Sequence, residues 1–451
     1  MNMMNIMDSP DFVKPTHYTT EFTDVFGIPL VSCKQKITFT HNGDRTVHRW
    51  SPYIQGFSAS FVNKTLSKYK ISTNHVVLDP FVGSGTVVIS SKMRGIDSIG
   101  VDLNPLLIFM AEVKTRWDID LKDVEYELNR LNWDQPPRIS PPEFLLTNKQ
   151  FRAPVLTNLL ILKQSLHEVE SPHVRDLFRL AFSSILTDCS NLKRSPCLGY
   201  DKKKKVPDNA PFGYFRQKVS EMVEDLHKVQ NRDWGAVHLI NADARVVDYT
   251  QNEIPVLRNH TGIDIAITSP PYVNGLDYVM NYKIEMAWLD FATSQKDLRR
   301  LKEAMVVCDN VSRESIRVFS RQKNVYTDVW LDDIVDRIAE KMIERETYRR
   351  KDMHLIVKKY FNDLYPVFKN VYNGLNEGGR FVIVIGDSLM ADVYIPADLL
   401  IARMGMSIGF NIEEIQVARK RRSGQRRDFE LRESVVVLRK GEARRGQMMV
   451  G

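Results

Sequence analysis

Cysteine is scarce in this chain: there are four in 451 residues, Cys33, Cys189, Cys197 and Cys308, and none stands at a spacing that closes a metal site. That excludes a disulfide-stapled scaffold and a structural zinc, and it points to a reducing compartment. No segment runs for ~18 uninterrupted apolar residues, so no membrane-spanning helix is expected. The first ten residues are rich in Met and Asn and lack a basic stretch followed by an apolar run, so a secretory leader is not expected there. These absences together predict a soluble cytoplasmic protein that does not meet a membrane. A large excess of one charge is missing too, with 63 Lys and Arg against 56 Asp and Glu and a net charge of +7. The bias favours a polyanionic partner only mildly, and where the cations gather says more. They cluster at residues 202–205 and 419–427, whereas acids spread along the helical pattern at 328–346, so the basic clusters are the candidate phosphate contacts.

What is present is ordinary globular material, 43% hydrophobic and 26% charged, enough for a large core with an appended domain. Residues 1–47 read as an irregular N-terminal segment. From residue 48 the chain becomes dense in features, beginning with His48-Arg-Trp-Ser-Pro-Tyr53 and the following Phe57 and Phe61. An apolar run at 76–79 ends in an acid and a Gly-rich turn, a helical pattern covers 87–93, and a second run ends at Asp102, which together make a strand, loop, helix, strand unit of parallel α/β type. Residues 113–232 read as a helical insertion, with a Lys-rich loop at 193–215. Strand signals return at 236–240 and 264–268, helical spacing fills 283–371, and 380–385 is a buried-strand run. Strands near 412–419 and 434–439 flank an Arg-rich loop as a terminal hairpin, and 441–451 is a tail. The core is therefore expected from 48–112 and 233–440.

Asp79-Pro-Phe-Val-Gly-Ser-Gly-Thr86 follows a strand and opens a helix. Gly83 and Gly85 let backbone approach a ligand where a Cβ would clash, and the helix start behind them favours a negative group. The loop lacks the third Gly of a dinucleotide fingerprint and the Gly-Lys-Ser/Thr of a phosphate-binding loop, which argues against dinucleotides and nucleoside triphosphates. Taken alone it is a tight turn packing a helix on a sheet. Asp102 raises it above that, because an acid at the next strand end can accept from both hydroxyls of a ribose. Asp243, just past the 236–240 strand, can accept from an adenine amino group. Singly, each acid reads equally as a solvated strand-end residue; together they outline a nucleoside pocket. Ser269-Pro-Pro-Tyr272, again directly after a strand, is a rigid turn whose carbonyls face no backbone N–H of their own.

With these motifs in this order, the chain resembles the S-adenosylmethionine-dependent amino-methyltransferases of DNA, which modify cytosine N4 or adenine N6. The 79–86 peptide is similar to that family's cofactor loop and Ser269-Pro-Pro-Tyr272 to its catalytic tetrapeptide, with the cofactor loop first. Asp102 and Asp243 match the ribose and adenine acids, and 48–61 resembles the segment that closes over the methionine end. Asn376-Glu-Gly-Gly379 and the final hairpin also look familial, so the likeness spans residues 48–440. It implies a Rossmann-like α/β methyltransferase sheet with a terminal antiparallel hairpin and helical insertions. Tyr53, Asp79, Phe81, Gly83, Gly85, Thr86, Asp102 and Asp243 would then hold S-adenosylmethionine, and Ser269, Pro270, Pro271 and Tyr272 would carry the chemistry. The implied partners are double-stranded DNA and a cognate restriction endonuclease, with no oligomeric state fixed. The insertion at 113–232 is far longer than a crossover needs and is expected to recognise the target, and 283–371 is expected to face DNA.

The implied chemistry needs no metal and no covalent intermediate. The lone pair of an exocyclic amine is delocalised into the ring, and acceptors for both amino hydrogens, here the Ser269 hydroxyl and the Pro270 carbonyl, would localise it on nitrogen. Tyr272 would stack on a base flipped out of the duplex. Ser at the first catalytic position is the family's usual signal for cytosine N4, with adenine N6 as the alternative. Three other readings stand beside this one: cytosine-C5 methylation through Cys197, which sits in a Ser-Pro-Cys sequence; guanine-N2 methylation of RNA; and a non-catalytic DNA-binding scaffold. Arg419, Lys420, Arg421, Arg422, Arg426 and Arg427 read either as a phosphate clamp or as a solvated hairpin tip.

Overall fold

In the computed structural model, the described residues are 13–33, 37, 42–53, 56–194, 197–250, 253–275, 277–307, 311–323, 325–344, 350–423 and 429–441. Their strands, in chain order, are β1 (Leu30–Ser32), β2 (Val76–Asp79), β3 (Asp97–Asp102), β4 (Leu192–Arg194), β5 (Leu198–Tyr200), β6 (Val237–Asn241), β7 (Ile263–Thr268), β8 (Leu375–Gly386), β9 (Ser388–Met390), β10 (Val393–Ile395), β11 (Asn411–Arg422) and β12 (Glu430–Arg439). Among these residues one sheet of eight strands forms in the order β1-β11-β12-β8-β7-β2-β3-β6. From β8 through β7, β2 and β3 to β6 every pairing is parallel. β12 enters antiparallel to β8, and β11 pairs antiparallel with β12, as the terminal hairpin requires.

The central strands are continuous apolar runs because helices cover both faces of the sheet. β2 is buried at all four positions, and the second half of β8 is buried at every position from Phe381 to Gly386. The chain moves from β2 outward to β3 and β6, and then crosses back to β7 and β8 on the other side. The order therefore reverses between β2 and β7, and a crevice opens at their carboxyl ends, where sheets of this kind take their ligands.

The helices form two packing groups. Met353–Gly374 and Ala397–Ile408 lie against the sheet through residues such as Tyr360, Leu364, Phe368 and Leu400. Ala153–Leu166, Pro172–Cys189, Ala210–Val229 and Lys283–Trp288 build a second apolar core of their own, centred on Phe178, Phe182, Phe215 and Trp288. Helix Pro105–Thr115 lies between β3 and β6 of the sheet and this second core: Asn104 caps its start by accepting from the Leu106 N–H at 3.0 Å, and Pro105 stands at its first turn. The expected boundary at residue 113 falls inside the last turn of this helix, where Val113 is still buried in the second core.

Residues 1–47 are not irregular throughout. Helix Pro15–Phe26 buries Tyr18 and Phe22 and ends at Gly27, which adopts φ +65° and donates its N–H to the Thr23 carbonyl at 2.8 Å. β1 then adds an edge strand parallel to β11, with Leu30 opposite Ile415. The Pro at the helix start and the Gly past its end were the available signals; the Thr-rich stretch between them carries too weak an apolar period to be read as a helix. Residues 442–451, the expected tail, lie outside the described residues.

Candidate active site

The loop after β2 is tied down by carboxylates at two strand ends. Asp102, the last residue of β3, accepts the Gly83 N–H on one oxygen at 3.1 Å and the Asn104 N–H on the other at 2.9 Å. Gly83 and Gly85 both have left-handed backbone, φ +51° and +90°. A Cβ on Gly83 would stand 2.5 Å from the Tyr53 hydroxyl, so only glycine leaves that aromatic its place. Asp79 ends β2 and is buried. Its Oδ1 accepts both the Phe81 N–H at 3.0 Å and the Thr268 hydroxyl at 2.7 Å, which ties the end of β2 to the end of β7. Burial pushes the Asp79 carboxyl up to about 7, against the opposing pull of those two hydrogen bonds, and pushes Asp102 up to about 6.

These strand ends open on a cavity of about 550 Å³ counting its open mouth. Tyr53, Phe81, Asp102, Asp243, Ser269 and Pro271 line it, together with Leu103, Leu107, Tyr278 and residues 304–306. The fold thus brings six of the expected residues to one place. Asp79, Gly83, Gly85, Thr86, Pro270 and Tyr272 do not line it: Asp79 acts as a tie between strands, and Thr86 is buried at the first position of helix Thr86–Lys92. Tyr53 stacks with Tyr278 and Tyr282, at centroid distances of 6.2 and 5.9 Å. The segment before it is held by Asp225 on helix Ala210–Val229, whose carboxylate accepts from the Val47 N–H at 2.9 Å, the Trp50 indole at 3.1 Å and the Arg49 guanidinium at 2.7 Å. Asp243 faces the cavity already engaged, because Arg245 donates to it from Nε and from Nη2 at 2.9 and 2.7 Å and also meets Asp363 at 3.3 Å.

The Ser269-Pro-Pro-Tyr272 turn leaves β7 beside the loop that leaves β2. Its second carbonyl, Pro271 O, accepts the Tyr360 hydroxyl at 2.8 Å, and this fixes the turn on helix Met353–Gly374. Tyr272 does not line the cavity and reaches toward β8 and β12. Its hydroxyl donates to Glu433 at 2.8 Å, and its ring lies over Gly386, where a Cβ would stand 2.8 Å from a ring carbon. Burial, and after it the charge of Glu433, raise the Tyr272 phenol well above its ordinary range.

With that geometry in place, comparison with curated proteins decides the class. The chain is similar to Type II methyltransferases. It is 24% identical over 448 residues to the Type II methyltransferase M.BsoBI of Geobacillus stearothermophilus, covering 90% of this chain and 85% of that protein. It is 24% identical over 419 residues to M.AvaI of Anabaena variabilis, covering 84% and 82%, and 22% identical over 348 residues to M.MvaI of Kocuria varians, covering 72% and 73%. No protein-family model matches the chain. The solved rRNA methyltransferase aviRa from Streptomyces viridochromogenes matches over 84% of this chain and 83% of that one at 9% identity, but its TM-score of 0.25 carries no argument.

The sheet is accordingly a Rossmann-like methyltransferase sheet with a terminal antiparallel hairpin and helical insertions, and the methyl donor that belongs with it is S-adenosylmethionine. The residues present fit that donor. Asp102 offers a carboxylate at the strand end beside a glycine cradle that a Cβ would fill, and the apolar Leu103 and Leu107 form a wall for a flat ring. Among the described residues no helix is long and apolar enough to cross a membrane, and no cluster of His, Cys, Asp or Glu could hold a metal.

The expected cationic surface is only partly free. Arg419 forms an ion pair with Glu433, Lys420 pairs with Glu430 at 3.1 Å, and Arg421 donates to the Asp387 carbonyl at 2.7 Å. Arg422 is exposed, and Arg426 and Arg427 lie outside the described residues. In the 202–205 run, Lys204 turns inward and donates to the Thr187 and Leu192 carbonyls at 2.7 and 3.0 Å, so it closes the end of helix Pro172–Cys189 and is not a phosphate contact. Cys197 is exposed beside β5 and does not line the cavity, which leaves the cytosine-C5 reading without a nucleophile there. Sequence reasoning missed Tyr278, Arg245, Tyr360, Asp225 and Glu433. None carries a local motif; Asp225, Tyr360 and Glu433 reach the site by packing from distant segments, whereas Arg245 and Tyr278 stand close in sequence to Asp243 and Tyr272.

Proposed function

We propose that this chain is a site-specific DNA methyltransferase that transfers the methyl group of S-adenosylmethionine to the exocyclic N4 amine of a cytosine flipped out of the duplex. The observation that carries the reading is the meeting of Ser269 and Pro271 with Asp102 and Phe81 on one cavity at the reversal of strand order. A donor-binding loop and an acceptor-rich turn side by side are what methyl transfer to a weakly nucleophilic amine requires. S-adenosylmethionine supplies a methyl group made electrophilic by the positive sulfur that carries it.

The chain's own part is binding and orientation. Asp102 accepts from the ribose hydroxyls while its backbone partners Gly83 and Asn104 keep it aimed at the cavity. Asp243, steadied by Arg245, accepts from the adenine amino group, and Tyr53 with Phe81 closes the sides. The Ser269 hydroxyl and the Pro270 carbonyl take the two amino hydrogens of the cytosine and leave the nitrogen lone pair facing the donor. Tyr272 holds the extruded base by stacking. Ser269 in place of an acid supports cytosine N4 over adenine N6. The helical segment at 113–232 reads the target, a role supported by its packing, together with Lys283–Trp288, in an apolar core apart from that around Met353–Gly374, and by the grip of Asp225 on the segment before Tyr53. The 283–371 helices and Arg422, Arg426 and Arg427 meet the DNA backbone, and the enzyme acts beside a cognate restriction endonuclease.

The test is nucleoside mass spectrometry of plasmid DNA incubated with the purified protein and S-adenosylmethionine. N4-methylcytosine is the expected product. N6-methyladenine would keep the site and overturn the choice of base, and unmodified DNA would overturn the reading.

A further inference from the structure

Strand register places a row of residues beneath Tyr272 that the sequence motifs do not account for. On the sheet, Glu433 of β12 stands opposite Gly386 of β8 on one side and opposite Arg419 of β11 on the other. Directly paired residues on neighbouring strands share a face. The row therefore runs Arg419, Glu433, Gly386 across three strands, and the Tyr272 ring lies on it in the space left by the glycine. The Glu433 side chain is only 9% exposed, and each of its oxygens has one partner: Oε1 accepts the Tyr272 hydroxyl at 2.8 Å, and Oε2 pairs with Arg419. A carboxylate taken this far out of water costs stability unless both oxygens are satisfied, and here the tyrosine of the catalytic turn is one of the two groups that satisfy it.

We propose that Glu433 is a positioning residue for the methyl-transfer reaction: it fixes the plane and depth of the Tyr272 ring against the flipped base, while Arg419 holds its second oxygen from the open face of the hairpin. The inference rests on the functional reading above, in which Tyr272 stacks on the base. Without the hydroxyl anchor the ring can turn about its side-chain torsions and slide over Gly386, which has no side chain to stop it. A base held by a ring displaced by about 1 Å misaligns its amine, an error that costs up to ~100-fold in rate. The anchor lies at a point outside the cavity, so it leaves donor affinity alone.

The experiment measures steady-state tritium transfer from labelled S-adenosylmethionine to plasmid DNA, with donor affinity by calorimetry, for the full chain and for Tyr272→Phe, Glu433→Ala, Glu433→Gln and the Tyr272→Phe/Glu433→Ala double variant. Expected are a fall in kcat of ~10-fold or more for Tyr272→Phe and for Glu433→Ala with donor affinity unchanged within about twofold. The double variant is expected to be no slower than the slower single one, because both remove the same bond. Glu433→Gln keeps an acceptor for the hydroxyl and recovers most of the rate. Wild-type kcat in Glu433→Ala or in Tyr272→Phe, or a double variant whose loss is the product of the two single losses, overturns the proposal. Should Glu433→Ala fail to fold, Tyr272→Phe, which removes the same bond, carries the test, and a wild-type kcat in it overturns the proposal. Transfer by the wild type with undiminished transfer by the variants removes only Glu433 from its role. A wild type that transfers nothing to DNA removes the functional reading, and the positioning role falls with it.

Discussion

Replacing Asp102 perturbs the proposed donor site at its best-defined point. The carboxylate accepts the Gly83 N–H at 3.1 Å and the Asn104 N–H at 2.9 Å while facing the cavity. Asp102→Ala leaves both backbone donors without their acceptor and takes a charged acceptor from the ribose. Loss of a hydrogen bond to a charged group is worth ~1.5 to 3 kcal/mol, which is roughly a 10- to 150-fold weaker Kd for S-adenosylmethionine. The side chain's ionisation adds a second signature. Burial pushes its carboxyl up to about 6, and the ionised form is the one that accepts from both hydroxyls, so donor affinity is full above that pH and falls as pH drops through it. Asp102→Asn cannot ionise; its amide oxygen still accepts one backbone N–H, so its affinity is expected between wild type and alanine and without that acid limb. Calorimetric titrations at about pH 5, 6, 7 and 8 measure both effects. An alanine variant binding within twofold of wild type, or an asparagine variant with the same acid limb, refutes the assignment of Asp102.

Asp79 gives a stability counterpart. Its folded-state value is raised to about 7 from an unfolded value near 4, so stability is fully present below about pH 4 and is lost as pH rises through 7. Asp79→Asn keeps an oxygen for Thr268 and Phe81, and its melting temperature is expected to gain on wild type from about pH 4 to 7 and to hold a constant difference above that; parallel curves across this window would refute this. Gly83→Ala forces an alanine into φ +51° with its Cβ 2.5 Å from the Tyr53 hydroxyl, and donor affinity is expected to fall ~10-fold or more, with partial recovery in Tyr53→Phe, both read by calorimetry. Tyr272→Ala and Pro270→Ala are expected to cut tritium transfer to DNA by orders of magnitude at nearly unchanged donor affinity, and transfer at the wild-type rate by Tyr272→Ala would remove the turn from the chemistry. Arg422→Ala is expected to reduce the slope of log affinity for duplex DNA against log salt by about 0.9, the share of one phosphate contact; an equal slope returns Arg422 to a solvated hairpin tip.

The parts of the site that could be read without a structure are those whose cause is local. Gly83 and Gly85 announce themselves because a turn with positive φ at both positions tolerates little else, and Ser269-Pro-Pro-Tyr272 because two prolines after an apolar run end a strand in one rigid way. Asp102 is legible from its place at a strand end. The helix Pro15–Phe26 escaped because its apolar positions gain meaning only against Trp330 and Tyr394, far along the chain. The neighbours of the functional groups escaped for the same reason. Glu433 lies 161 residues from the tyrosine that it anchors, and Asp225 lies 178 from the backbone N–H of Val47 that it holds. Local sequence sets backbone conformation and the identity of the reacting groups, because those follow from sterics within a few residues. Which acid faces the cavity, as Asp102 does, and which one is spent as a tie between strands, as Asp79 is, depends on strand register and helix packing across the whole fold, and only the tertiary structure decided it.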